Sequence, residues 1–258
     1  MKLAYFPGCK ISFFQSQYGD DVEAVMAALD IELVTLTFHC CGNPVRGEDL
    51  ETSLYSAMRN LALARLSGLD IITPCKCCFG QFKHAIHHWN ENPDLRKKIE
   101  VRLAAEGLYW DGKNSVRHLL EYLYYDIGVE KLAQKVKNSQ VDTAMVVQYG
   151  CHALRPMGIT QFDNPHAPKI FEAVLSALGA KVLPWSRRTE CCGNPAAKLN
   201  PTLSETIARG KLASAARAGA DQIVTACTHC QMQYEDVDAD SGVSPVLFTR
   251  ILRKALDI

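Results

Sequence analysis

The sequence predicts an α/β fold of two similar units related by an internal repeat, each a small, mostly parallel sheet with helical cover. Three observations predict it. The stretch "TFHCCGNPVRG" at 37–47 returns as "RTECCGNPAAK" at 188–198, so one pattern is written twice. Short apolar runs alternate with longer stretches whose apolar residues stand three and four apart, the alternation of strands and amphipathic helices. Cysteines close these runs in the same order in both copies.

Taken along the chain, the first copy opens with the apolar run "LAYFPGC" (3–9) and the second with "AMVVQYGC" (144–151). Amphipathic helices follow, "DDVEAVMAALD" (20–30) and "APKIFEAVLSALGA" (167–180), then short strands, "IELVTL" (31–36) and "KVLPW" (181–185). After each Cys-Cys-Gly-Asn-Pro comes a longer helix, "SLYSAMRNLALARLSGLD" (53–70) and "LSETIARGKLASAARAGAD" (203–221), with a glycine stop near its end. Buried strands "IITP" (71–74) and "QIVTA" (222–226) lead into "CKCC" (75–78) and "CTHC" (227–230). Each copy therefore reads strand–helix–strand–helix–strand. Residues 82–140 between the copies read as helices, broken at Asn92-Pro93 and Asp111-Gly112. We expect a first domain at 1–140 with this helical extension, and a second at 141–258.

Lys+Arg and Asp+Glu both number 28 in 258 residues, so there is no basic excess for general nucleic-acid binding. No apolar run approaches the roughly 18–20 residues that span a bilayer. The apolar start at Leu3 meets Pro7-Gly8 after four residues, too short for a signal-peptide core, so we expect a cytoplasmic protein. Eleven cysteines in such a compartment point to metal or redox chemistry rather than to disulfides. No dinucleotide fingerprint or phosphate loop is written, so we expect no flavin or nucleotide in this chain.

Ten of the cysteines form two matching sets. Cys9, Cys40, Cys41, Cys75 and Cys78 are separated by 30, 33 and 2 residues around the adjacent pair. Cys151, Cys191, Cys192, Cys227 and Cys230 are separated by 39, 34 and 2. Parallel strands end on one edge of their sheet, so three loops can gather five sulfurs there. Structural zinc is closed by four ligands, and a cubane [4Fe–4S] cluster takes four cysteines. A fifth thiolate is surplus to both, unless one iron carries two sulfurs or one sulfur bridges two irons. Soft thiolates without other recurring ligands suit iron–sulfur sites.

This doubled pattern resembles the cysteine-rich CCG domain pair found in the B subunit of heterodisulfide reductase, over nearly the whole chain and at every motif cysteine. The resemblance implies a noncubane [4Fe–4S] cluster on each set of five, with a disulfide cleaved between the two clusters. It implies electrons arriving from two partners, an iron–sulfur C subunit and a flavoprotein A subunit, and a thiol or disulfide substrate. The methanogen substrate itself does not follow from it. His152, directly after Cys151, is our candidate acid for protonating released thiolates. Its alternative role is a hydrogen bond to a cluster sulfide. Cys77 is taken as a spare thiol, with a Cys75/Cys77 register as the alternative.

Weaker signals are read as follows. Gly8, Gly42, Gly150 and Gly193 let backbone approach the clusters, and Pro44 and Pro195 fix the loop exits, either in the cis or the trans form. His39 and His229 neighbour the sets without being ligands. His84 and His88 lie four apart, and we expect a solvated helix face there. Arg155, Arg187, Arg188 and Lys198 could hold an anionic substrate tail or dock a partner, and a plain surface role is the default. The aromatic run "EYLYYDIG" (121–128) reads as core or interface. Two rival functions stay open. One is a CCG subunit relaying electrons for a flavin-dependent dehydrogenase, without disulfide turnover. The other is a zinc-holding scaffold.

Overall fold

The computed structural model describes residues 1–140, 142–237 and 241–258. Each half is built on a four-stranded, all-parallel sheet. In the first half β1 (Lys2–Tyr5), β2 (Glu32–Thr35), β3 (Ile71–Thr73) and β4 (Val116–His118) lie in the order β2-β1-β3-β4. In the second, β5 (Ala144–Gln148), β6 (Lys181–Val182), β7 (Gln222–Thr225) and β8 (Ser244–Leu247) lie in the order β6-β5-β7-β8. The two orders are the same, so the repeat extends from sequence to topology. The boundary expected between 140 and 141 falls at Val141, outside the described residues.

The fourth strand of each sheet departs from the three strands expected per copy. Helix is the expectation for residues 116–118, yet Val116 pairs with Ile71 and His118 with Thr73. The reason is length: a three-residue strand has no period of its own beside the helix "LLEY" that follows it. His118 makes the change of direction. Its Nδ1 accepts from the Leu120 N–H at 3.1 Å, Glu121 accepts from the His118 N–H, and Nε2 donates to Pro74 O at 3.0 Å. Strand β8 carries Pro245, which is tolerated because β8 is an edge strand.

Helices α1 (Cys9–Phe14), α2 (Ser16–Ala28), α3 (Leu50–Leu66), α4 (Lys76–Glu91) and α5 (Pro93–Ala105) belong to the first half. After β4 come α6 (Leu119–Tyr122), a π-helical turn (Leu123–Gly128) and α7 (Val129–Gln134). The aromatic run divides there: Tyr122 and Leu123 are buried, and Tyr125 is exposed. The second half has α8 (Met157–Thr160), α9 (Ile170–Ala177), α10 (Pro201–Arg217), α11 (Thr228–Asp236) and α12 (Phe248–Leu256).

The halves exchange their last helices. The segment α6–α7 packs on α9 of the second half, and α12 packs on α2 of the first. Phe248 of α12 meets Tyr18 and Phe171, one ring from each half, and Lys137 and Asn138 N–H groups donate to Ala255 O. One apolar core runs through both halves as a result. The exchange is pinned by Asp21 of α2, only 1% exposed, which pairs with Arg250 at 3.3 Å and Arg253 at 3.0 Å. We expect Asp21→Ala to lower stability by about 2 kcal/mol, the worth of a buried, charge-assisted hydrogen-bond pair. Chemical denaturation would read the change as a lower midpoint.

Candidate functional site

The cysteines occupy the carboxyl edges of the two sheets, where loops leave the strands. Cys9 starts α1 after β1, and Cys151 follows β5. Cys75 and Cys227 are the N-cap residues of α4 and α11, where the positive end of a helix favours thiolate. Each adjacent pair precedes a 3₁₀ turn, Asn43–Val45 or Asn194–Ala196, entered through a glycine with positive φ, 85° at Gly42 and 97° at Gly193. Pro44 and Pro195 lie in these turns with trans bonds, since the cis peptide among the described residues is Arg155–Pro156.

A buried clamp that motif reading missed fixes both turns. Ser53 Oγ donates to Gly42 O at 2.9 Å, and Gln81 Nε2 donates to Ser53 Oγ at 2.8 Å. Ser204 Oγ donates to Gly193 O at 3.0 Å, and Gln233 Nε2 to Ser204 Oγ at 3.1 Å. The signal was available: each serine stands twelve residues after its Cys-Cys pair, and each glutamine three after its final motif cysteine.

Neighbouring thiols influence one another in an unbroken series that runs through both halves. Thiol contacts join Cys40 to Cys41, Cys41 to Cys78, and Cys78 to Cys75. They continue from Cys75 to Cys77 and from Cys77 to Cys227. In the second half they link Cys227 to Cys230, Cys230 to Cys192, Cys192 to Cys191, and Cys191 to Cys151. Cys9 stands outside this series, exposed, and acts on Cys40 through charge. Cys77 is therefore placed between the two sets, its Sγ also 3.2 Å from His152 Nδ1.

Hydrogen bonds from neighbouring thiols hold Cys41, Cys75, Cys191 and Cys227 well below the ordinary thiol range. The donating partners Cys40, Cys77, Cys78, Cys151 and Cys230 are pushed up by the same contacts and by burial.

Two buried lysines face the second set. Lys76, 1% exposed, donates from Nζ to Tyr149 O at 2.7 Å and Gln148 O at 3.3 Å, and lies over the Tyr149 and Phe171 rings. Lys211, fully buried, donates to Arg187 O at 2.6 Å and Glu190 O at 3.1 Å, over the Trp185 ring. Burial lowers both to about 8.

The donor set fits iron–sulfur clusters. It is soft and anionic, and glycine gives it room: a Cβ on Gly8 would sit 2.7 Å from Cys78 Sγ, and one on Gly150 3.7 Å from Cys230 Sγ. Among the described residues no three Cys, His, Asp or Glu side chains converge as a single-ion cage. An extended series of thiols suits a multi-iron group better than one ion.

A cavity of about 600 Å³ opens onto both sets; its walls include Cys9, Cys77, Cys151, Cys192, Cys227 and Cys230. Asn43 and Asn194 and Pro44 and Pro195 line it as symmetric pairs, and His152, Lys10 and Lys198 also line it. His229 is at the wall with Nδ1 2.9 Å from Asn194 Oδ1, whereas His39 is exposed and meets Asn60 through its backbone. Arg155, Arg187 and Arg188 are absent from the wall: Arg155 binds Thr189 O, Arg187 binds Glu190 and Gly210 O, and Arg188 pairs with Glu172. His84 and His88 sit half-buried on α4 and share no metal-type cluster among the described residues.

Comparison with known proteins follows the same lines. The cysteine-rich domain model CCG matches residues 3–83 and 145–235. A protein of Archaeoglobus profundus, named for its likeness to the heterodisulfide reductase B subunit, is 32% identical over 243 residues, covering 92% of this chain and 81% of that one. The 8-methylmenaquinol:fumarate reductase membrane anchor subunit of Wolinella succinogenes is 31% identical over 242 residues, 93% of this chain and 84% of that one. The B subunit of a ferredoxin/F(420)H(2)-dependent CoB-CoM heterodisulfide reductase of Methanosarcina acetivorans is 29% identical over 239 residues, 91% and 79% of the two chains. In fold, the crystal structure of a hypothetical protein from Helicobacter pylori aligns with TM-score 0.76 at 14% identity, over all of this chain and 49% of that one. Among the described residues no helix is long and apolar enough to cross a membrane.

Proposed function

This chain belongs to the family of tandem cysteine-rich CCG domains typified by the heterodisulfide reductase B subunit, iron–sulfur components of oxidoreductase complexes, and from that premise we propose that it is the catalytic subunit of a heterodisulfide-reductase-like complex. It reduces a disulfide, or oxidises thiols in the reverse direction: RSSR′ + 2e⁻ + 2H⁺ gives RSH and R′SH. Cys9, Cys40, Cys41, Cys75 and Cys78 hold one noncubane [4Fe–4S] cluster. Cys151, Cys191, Cys192, Cys227 and Cys230 hold the other. Electrons come from an iron–sulfur C subunit and a flavoprotein A subunit.

The observation that carries this reading is a cavity whose wall holds Cys9 of the first set, Cys77 between the sets, and Cys151, Cys192, Cys227 and Cys230 of the second. A disulfide placed there has one sulfur toward each half. Bound clusters supply electrons singly, so two facing one substrate match the two-electron cleavage of an S–S bond. The chain's own residues do the rest. Asn43 and Asn194 offer amides to the substrate from opposite walls, and Lys10 and Lys198 draw an anionic tail toward the cavity. His152, at the wall beside Cys77, holds the proton for a departing thiolate.

A second reading, electron relay without disulfide turnover, is favoured by the likeness to a protein whose name is that of a fumarate reductase component. The test starts with iron, acid-labile sulfide and zinc per chain in protein purified without oxygen. About eight irons and as much sulfide are expected for two four-iron clusters. Disulfide turnover by the assembled complex then supports the catalytic reading, and a loaded complex that turns over no disulfide supports relay. Zinc without sulfide sinks both.

A further inference from the structure

The two halves match around their cysteines in topology and in the Ser53 and Ser204 clamps. Charge differs at several matched positions, His39 against Glu190 among them, and at two of these both partners are buried. Asn60 of α3 corresponds to Lys211 of α10, nineteen residues after each adjacent pair. Both are fully buried and both donate to carbonyls just ahead of that pair or within it. Asn60 Nδ2 reaches His39 O at 3.1 Å and Cys40 O at 3.3 Å, and Lys211 Nζ reaches Arg187 O and Glu190 O. Thr228 corresponds to Lys76, each directly after an N-cap cysteine. Both cross to the opposite half. The Thr228 hydroxyl lies 3.7 Å from Cys75 Sγ, and the Lys76 ammonium reaches the carbonyls of Gln148 and Tyr149, just ahead of Gly150-Cys151.

The second set is therefore bracketed by two buried ammonium groups, and the first by an amide and a hydroxyl. Carbonyls and ring faces only partly repay the desolvation of a buried ammonium, which costs several kcal/mol uncompensated. Among the described residues neither lysine is ion-paired with a carboxylate. The nearby carboxylates are engaged elsewhere, Glu190 with Arg187 and Glu172 with Arg188. The negative groups acting on Lys76 are first Cys227, Cys230 and Cys151 and then Glu172; those acting on Lys211 are Glu190 and then Cys230 and Cys192. Lys10 and Lys198 add little by comparison, since Lys10 is half-exposed and Lys198 borders the open cavity, where water screens them.

We infer that the two sites are built with unequal affinity for an electron, the Cys151/Cys191/Cys192/Cys227/Cys230 site accepting first because Lys76 and Lys211 stabilise its added negative charge. The inference rests on the proposed clusters. The step adds one electron from an external donor to the oxidised site, with no bond broken. A fixed positive charge in a low-dielectric surrounding favours the more negative, reduced form.

The test is a redox titration with dithionite, followed by electron paramagnetic resonance, on anoxically purified protein. Native protein is expected to show two separate one-electron midpoints. Lys76→Met and Lys211→Met should each lower the higher midpoint, by a tenfold or greater fall in the reduced-to-oxidised ratio, about 59 mV for one electron. Asn60→Lys should raise the lower midpoint, and it reads the inference even where a lysine variant fails to fold. Equal native midpoints, midpoints that ignore the substitutions, or both moving together would overturn the inference. Absence of any cluster signal would overturn the proposed function as well. Unequal midpoints that respond as stated support the inference whether or not the complex cleaves a disulfide.

Discussion

Serine in place of Cys192 is expected to cost the protein about half of its iron and acid-labile sulfide, leaving the other cluster bound. Cys192 is buried, touches both Cys191 and Cys230, and belongs to the second set alone. If four cysteines closed the site, its neighbour Cys191 could stand in and metal content would hold. If all five sulfurs are used, no substitute exists, and the harder serine oxygen is a poor replacement for iron. Cys41→Ser is the matching experiment for the first set and should remove the other half. The distinguishing readout is the metal itself: retention of a full complement, with zinc in place of iron, would return the protein to a structural scaffold. Cys77→Ser separates a further possibility. Its sulfur touches one cysteine of each set, so loss of metal on its removal would make it a ligand rather than a spare.

The repeat was legible because its chemistry is carried by residue types with few other uses at fixed spacing. Two sets of five cysteines survive differences in loop length, 30 against 39 residues before the adjacent pair, because strand ends rather than loops fix their positions. The first three strands of each sheet were legible as well: β1, β3, β5 and β7 as buried apolar runs, and the edge strands β2 and β6 as short apolar runs after a helix. What escaped was decided by partners distant in sequence. Val116–His118 is a strand because Ile71–Thr73 offers it an edge, and β8 joins because β7 does the same. The exchange of α12 for α7 across the halves leaves no local trace, as an apolar helix face does not name the surface it will cover. Nothing in the sequence marks Lys76, which stands between two cysteines; its buried reach to Tyr149 O is set by the fold. Cys77 looked like an irregularity of the first motif, and the fold sets it between the motifs.

Alanine at Gly80 is expected to destabilise the protein, against the usual direction for a glycine inside a helix. Helical propensity alone would favour alanine by about 1 kcal/mol. Gly80, however, lies in α4 two residues past Cys78, where a Cβ would stand 2.6 Å from the carbonyl oxygen of His152. That oxygen is backbone of the other half and has no rotamer in which to retreat. Overpacking of this kind costs roughly 1–3 kcal/mol, so the net change is a loss of up to about 2 kcal/mol. At roughly 2–4 °C per kcal/mol for a chain of this size, thermal unfolding should fall by several degrees. Gly210 of α10 is the control, because its Cβ would meet only Arg187 Nη1 at an ordinary 3.5 Å, and Gly210→Ala should be neutral or stabilising. The functional consequence follows from the same contact. Pushing α4 off the Cys151–His152 loop moves Cys77 from His152 and parts the two cysteine sets, so turnover should fall in Gly80→Ala while iron content holds. An unchanged melting temperature with unchanged turnover would show instead that the halves can separate at this contact without penalty, and that the shared cavity does not depend on their close fit.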